Sequence, residues 1–497
     1  MQEIKNVFDN FKYFFIISIL AFPFYNSLCS RNKDLSYTSQ KFQYEEGEGR
    51  TNQSDFEVII KDLQIPWTII FIRRNEILIT ERAGKVKIFN LQYRRLIREF
   101  LIEGVKHIGE GGLLGAAIHP NFKENNFVYL YYTTEEKGNL INRVERYILK
   151  NYELVKDKII LNNIPAGGIH NGGRIKFGPD GHLYITTGDA GNSDNSQNIN
   201  SLAGKILRVG EDGSIPEDNP FGNYVYAYGI RNSQGIAWDA EGNLWAIDHG
   251  RSGIQSGLDE LNLIEKGKNY GWPVIQGDEK KEGMETPITH SGEDTTWAPA
   301  DLIYYNNSLF FTGLRGQAIY KYDLINKRLY VYFFQKFGRL RAITIGPDGY
   351  FYVSTSNRDG RGYPSEGDDK ILKINPEIFF DSVRYKLDGK IYKLLVADEP
   401  GEWSRGLMFI RKCTDEFYDF SYQINPCLNW CDGMLFIFPD RRVRNFWNKN
   451  TLVDLDIYWI DNDKVIGRDF LPSFEKTRKI YTVASPSEVD KVVEIIK

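Results

Sequence analysis

The chain of 497 residues balances 62 Lys and Arg against 66 Asp and Glu, a net charge of -4, and 42% of it is hydrophobic. That combination belongs to a folded protein with a large core. It excludes both a disordered chain and the strong positive field of a nucleic-acid binder. The 45 Gly, 30 Tyr, 31 Phe and 9 Trp favour short strands joined by tight turns, so the composition predicts an all-β fold.

At the N-terminus, Lys5 and Lys12 precede an apolar stretch from Tyr13 to Tyr25, shorter than the roughly 20 residues that span a bilayer. Residues 1–29 therefore read as an export segment, a signal peptide or a membrane anchor, with a periplasmic or extracellular destination. Residues 30–50, polar and acidic, read as a linker. The cysteines are Cys29, Cys413, Cys427 and Cys431, which excludes a disulfide framework for most of the chain.

A recurring unit then begins: an apolar strand, a turn, and a second strand rich in Tyr, Ile and Thr. Its copies start at Trp67, Leu114, Gly173, Gly235, Ala300 and Leu340. Hairpins that alternate with period two and repeat at this spacing are the signature of propeller blades, so six copies over residues 51–380 predict a six-bladed β-propeller. Loops at one end of such a ring converge on the central channel, where a site belongs. After Asn375-Pro376 the repeat stops. The segments IYKLLVA, GMLFIF and LVDLDIYWI predict a second, mainly-β (α+β) domain over residues 384–497.

The chemistry-bearing residues sit on the predicted loops. His170 precedes one strand of the third copy and Asp189 follows the next, so a hairpin brings them to the same end, the relation of a general base and its orienting carboxylate. A loop cap at His170 and an Asx-turn at Asp189 would use the same residues. Arg231 with Asn232, Arg315, and the pair Arg339 and Arg341 recur at equivalent ends; Arg339 and Arg341 are two apart and face one side of a strand. Convergent guanidinium groups suit a planar polycarboxylate or a phosphate, whereas any one of them alone reads as a salt-bridged rim. Asp248-His249-Gly250-Arg251 and the stretch from Leu258 to Pro273 offer carbonyl and carboxylate oxygens for calcium. The histidines lack zinc spacing, and neither a P-loop nor a strand-linked G-x-G-x-x-G is present.

The strings EGGLLGAAIHPNF, HNGGRIKFGPDGHLYITTGDAGN, YGIRNSQGIAW, DELNLIE, NYGWP, GRLRAITIGPDG and NRDGRG together resemble the soluble quinoprotein glucose/sorbosone dehydrogenase family, including aldose sugar dehydrogenases, over about residues 56 to 376. The resemblance implies a propeller that binds pyrroloquinoline quinone (PQQ) and calcium and oxidises aldoses at the anomeric carbon to lactones. His170 would be the general base, Asp189 its partner, and Arg231 the group polarising the quinone carbonyl with Asn232 beside it. Arg315, Arg339 and Arg341 would hold the cofactor carboxylates. Gly250 and Arg251 match positions whose carbonyls bind the cofactor calcium, and Glu260 and the Tyr270 carbonyl match a further calcium site. An electron acceptor, a quinone or a small redox protein, is implied; monomer and homodimer are both open.

The chain departs from the family pattern. Glu110 stands where some members have a cofactor-contacting Gln, Arg315 where the glucose branch has Lys, Ser233 where Pro is common, and Arg251 where Pro often follows the glycine. Arg315 preserves charge. Glu110 adds a negative charge near an anionic cofactor unless it is protonated or paired. The long substrate loops of the glucose-specific branch are not evident, which favours a broad aldose range.

The C-terminal strings WSRGLMFI, DGMLFIF and RNFWNKNTLVDLDIYWID resemble the DUF192 family, a domain of unknown function, over about residues 388 to 497. Its motif residues here are Arg405, Gly406, Met408, Gly433, Met434, Trp447, Lys449, Asn450, Thr451 and Asp456, which line a pocket or pack a core. In an exported protein Cys413 would pair with Cys427 or Cys431. Two other function classes use the same fold: a non-catalytic propeller binding glycans or a protein partner, and a calcium-dependent propeller lactonase or esterase. The second expects inward Asn, Asp and Glu ligands in place of an arginine-rich channel.

Overall fold

Each of the six predicted copies begins at, or within two residues of, the innermost strand of a four-stranded antiparallel sheet. These first strands are Pro66–Arg73, Leu113–Ile118, Ile175–Phe177, Ser233–Trp238, Pro299–Tyr305 and Leu340–Ile345. Those at Leu113, Ser233 and Pro299 are buried at every position, while the outermost strands Arg95–Leu101 and Arg328–Tyr332 are largely exposed. A strand covered on both faces reads as an unbroken apolar run, and an outer strand reads as polar. The computed structural model describes residues 55–253, 256–412 and 427–497. The export segment, the whole linker, Cys29 and Cys413 lie outside them. Among the described residues, no helix is long and apolar enough to cross a membrane.

The sheets pack in sequence order. Pro66–Arg73 touches Leu113–Ile118, which touches Ile175–Phe177; Leu183–Thr187 then meets Ser233–Trp238, which meets Pro299–Tyr305, Leu340–Ile345 and, closing the circle, Pro66–Arg73 again. This ring fits a propeller. The last sheet draws one strand from the other end of the chain, Phe56–Ile60 pairing antiparallel with Ile371–Ile374.

Arg174 ties the centre together. It is 1% exposed, and its Nε donates to the Gln234 carbonyl (3.0 Å), Nη1 to Thr68 Oγ1 (2.9 Å) and Nη2 to the Ala300 carbonyl (3.0 Å). Its guanidinium lies 4.2 Å from the centre of the Trp67 ring and 3.2 Å from Asp301 Oδ1. Buried charge is tolerated here because every face of the group has a partner.

Beyond the ring, a six-stranded sheet runs in the order Ser382–Leu387, Lys390–Ala397, Gly433–Arg442, Val489–Ile496, Leu455–Asp461, Lys464–Leu471. Only the Lys390–Ala397 and Gly433–Arg442 pair within it is parallel. Its core gathers Leu395, Phe436, Ile457, Trp459 and Val492. It meets the ring through Trp430 Nε1, which donates to the Tyr305 hydroxyl (3.0 Å), and through Arg405, which donates to Asn307 Oδ1 (2.8 Å) and Glu241 Oε1 (2.7 Å). Cys431 is a free thiol.

Candidate active site

The third sheet builds a histidine and a carboxylate into one hydrogen-bonded pair. His170 Nδ1 lies 2.7 Å from Asp189 Oδ1. The loop before Ile175–Phe177 is fixed by Asn171, whose side chain bonds both the Gly167 amide (3.1 Å) and the Gly167 carbonyl (2.8 Å). Gly172 follows with φ +60, and a Cβ there would lie 2.6 Å from the Thr186 carbonyl, so the motif needs glycine for both conformation and space. Gly188 is equally confined: a Cβ would lie 2.1 Å from the His170 carbonyl oxygen.

Asp189 is 1% exposed. Its Oδ1 also accepts from the Gly191 amide (2.8 Å), and its Oδ2 accepts from Trp272 Nε1 (3.0 Å). The Asx-turn and the His partnership therefore coexist. Burial pushes this carboxyl upward, but the bonds from His170, Gly191 and Trp272 outweigh it and hold the group below its usual range.

Beside this pair lies a cavity of about 220 Å³ lined by Trp67, Arg82, Glu110, Gln234, Arg339, Arg341, Asp359 and Arg361, among others. Arg339 Nε donates to Asp359 Oδ2 (2.8 Å), and Arg341 donates to Ser356 Oγ and to Gln234 Oε1 (both 3.1 Å). Burial pulls the Arg341 guanidinium down to about 9; Asp359 opposes this, while Arg82 and Arg339 push the same way. A buried cluster with more cations than carboxylates to match them fits an anionic, polycarboxylate cofactor such as PQQ.

Arg231 sits 5.1 Å from the centre of the Trp272 ring, with Nη2 on Ser252 Oγ (2.7 Å) and a buried Nε that has no protein partner. The Asp248 carboxylate accepts from the backbone amides of Arg231 (2.8 Å) and Asn232 (2.6 Å), and Asn232 Oδ1 accepts from the Gly172 amide (2.9 Å). Arg231 and Asn232 are thereby locked to the His170 loop. Arg315 stands apart, exposed and bonded through Nη1 to Ser256 Oγ (2.6 Å), outside the cavity wall.

The calcium reading rests on a neighbouring strand, Glu260–Ile264. Among the described residues no cluster of three or more His, Cys, Asp or Glu side chains forms a metal site, so carbonyl and amide oxygens would have to supply the ligands. Burial pushes the Glu260 carboxyl up to about 8, and near it Asn262 Oδ1 and Gln276 Oε1 are buried without partners. Unpaired hard oxygens beside a buried carboxylate fit a hard cation. Gly250 donates its amide to Asp259 Oδ1 (2.8 Å), and Arg251 bridges to Gly257. The Tyr270 hydroxyl is engaged at the far end of the Glu260 strand, on the Leu263 carbonyl (2.7 Å).

Sequence reasoning passed over Trp272, Asp359, Arg361 and Arg82. The first three lie inside motifs quoted for the resemblance, NYGWP and NRDGRG, but Trp272 and Arg361 find their partners, Asp189 and Glu110, 83 and 251 residues away. Arg82 Nε donates to His107 Nε2 (3.1 Å) and Nη2 to the Asp359 carbonyl (3.2 Å). In the C-terminal domain, Arg405, Gly406 and Met434 line a separate cavity of about 230 Å³ against the fifth sheet, whereas Trp447 and Lys449 are exposed and Asp456 pairs with Lys497. Thr451 is 3% exposed.

Comparison with known proteins adds three relatives. The glucose/sorbosone dehydrogenase family model matches residues 63–364, and that of the uncharacterised DUF192 family matches residues 383–497. The PQQ-bound aldose sugar dehydrogenase of Streptomyces coelicolor is 34% identical with a TM-score of 0.60, covering 64% of this chain and 96% of that one. A Thermus thermophilus oxidoreductase described as a glucose dehydrogenase is 40% identical with the same TM-score, covering 64% and 99%. The aldose sugar dehydrogenase YliI of Escherichia coli is 27% identical over 356 residues, 64% of this chain and 92% of its own length.

Proposed function

Because this chain belongs to the glucose/sorbosone dehydrogenase family, we propose that it is a quinoprotein that oxidises aldose sugars at the anomeric carbon to lactones. In this reading, residues 51–380 form a six-bladed propeller, 384–497 a DUF192-like domain, and residues 1–29 direct export. The observation that carries it is the His170–Asp189 pair at 2.7 Å beside an arginine-lined cavity.

The chemistry follows from which atoms are engaged. With Nδ1–H donated to the Asp189 carboxylate, the His170 ring presents the Nε2 lone pair as the base for the anomeric hydroxyl proton. Asp189 fixes that tautomer and stabilises the imidazolium that forms. When bound, PQQ would accept the hydride from the anomeric carbon. Arg339 and Arg341 would hold its carboxylates, and Arg231, braced on Trp272, would place positive charge where charge develops on the quinone oxygen. Arg315 would join only by leaving Ser256. The carbonyls of Gly250 and Arg251, and Glu260 with the Tyr270 carbonyl, would hold calcium. A quinone or a small redox protein would then take the electrons.

The test uses the full chain supplied with PQQ and calcium, dye reduction across a panel of aldoses, and a His170→Ala control. Turnover that requires both additions and vanishes in the variant supports the assignment. Failure to bind PQQ by absorbance titration refutes it and favours a glycan- or protein-binding propeller.

A further inference from the structure

Glu110 resolves into something other than a stray charge beside the cofactor. Its Oε2 accepts from the His170 backbone amide at 2.9 Å, and its Oε1 accepts from Arg361 Nη1 at 2.7 Å. Burial pushes this carboxyl up, but those two partners overcome it and hold the group down at about 2. The carboxylate is thus ionised and neutralised at close range by Arg361.

His170 is the residue that needs such a partner. It has φ +55, a left-handed conformation that is unfavourable for a non-glycine residue and persists only when its surroundings impose it. Three contacts impose it here. The His170 carbonyl accepts from the Ala190 amide (3.1 Å), its ring is held by Asp189, and its amide is held by Glu110. The loop carrying Glu110 is itself anchored, since the Glu110 amide donates to the Gly168 carbonyl (2.9 Å) and a Cβ on Gly109 would lie 2.1 Å from that same oxygen. Arg361 comes from the last sheet's loop, so three separate loops around the cavity mouth meet at one carboxylate.

We propose that Glu110, braced by Arg361, is a positioning residue that holds His170 in its left-handed turn and aims its ring at the substrate. The inference rests on the dehydrogenase reading for its consequence, but its structural part stands without it. Glutamine at this position keeps an oxygen for the His170 amide and gives up the ion pair. Alanine gives up both.

Two readouts separate the proposal from the function itself. In the chain without cofactor, hydrogen exchange of the His170 amide is expected to quicken at least tenfold in Glu110→Ala and to stay within about threefold of the parent in Glu110→Gln. In the PQQ-loaded enzyme, Glu110→Ala is expected to lower kcat by 10- to 100-fold with KM changed less than threefold, and Glu110→Gln to recover most of that loss. Arg361→Gln should fall between them. Unchanged exchange and kcat in Glu110→Ala would overturn the proposal, as would a loss confined to KM or to PQQ affinity. Altered exchange in a chain that turns over no sugar would leave the positioning role standing and refute only the dehydrogenase assignment.

Discussion

Replacing Asp189 with asparagine keeps shape and volume but changes what the carboxylate does for three donors. The native group accepts from His170 Nδ1 (2.7 Å) and the Gly191 amide (2.8 Å) on one oxygen and from Trp272 Nε1 (3.0 Å) on the other. Asparagine has a single acceptor oxygen, so either the Trp272 donor or the Gly191 donor loses its partner in a buried site, at about 1–3 kcal/mol. If its amide instead turns toward the imidazole, Nδ1 must become the acceptor and Nε2 the protonated nitrogen, which removes the base. The expected loss in kcat is about 100- to 10,000-fold, with sugar KM and PQQ affinity little changed. Stopped-flow reduction of PQQ-loaded enzyme by an aldose reads the chemical step directly, and a thermal melt reads the stability cost. A kcat within threefold of the parent, in a variant that retains its melting temperature, would refute the tautomer argument and with it the role given to His170.

Gly188→Ala should cripple the site without touching a charged group, because the new methyl carbon would lie 2.1 Å from the His170 carbonyl and 2.8 Å from Asn232 Oδ1; kcat is expected to fall at least tenfold, and equal kcat in parent and variant would count against a rigid site. Glu494 supplies a pH test in the other domain. It is buried, its Oε2 has no partner, and burial pushes its carboxyl from 4.5 up to about 8. A folded-state pKa above the unfolded one favours the neutral form, so this contribution to stability is complete below pH 4.5 and drains away up to pH 8, at about 1.4 kcal/mol per unit. Melts of Glu494→Gln at pH 5 and pH 8 should show a flatter pH dependence than the parent, and identical slopes would contradict the assignment.

The ring was legible because its inner strands carry their own signature. Leu113–Ile118 and Pro299–Tyr305 are buried throughout, as strands covered on both faces must be, and the Asp-Gly and Glu-Gly turns mark the hairpins between them. His170 and Asp189 could be paired for the same reason, since a single hairpin separates them. What could not be read was anything decided by ring closure. Phe56–Ile60 finds its partner strand at Ile371–Ile374, and Glu110 finds Arg361 at a separation of 251 residues, so local pattern gives no hint of either. Glu110 is paired with Arg361, one of the two cases the sequence left open. Arg315, grouped with the other arginines by position, proved to face Ser256 because a matching place on a repeat does not fix a side chain's direction.

Arg174 gives the ring a floor. Stacked on Trp67 and bonded to strands of the first, fourth and fifth sheets, it lines a small cavity of about 70 Å³, while Trp67 lines the 220 Å³ cavity beside His170. Three sheets thus share one guanidinium, so losing it would leave acceptors in all of them without a donor.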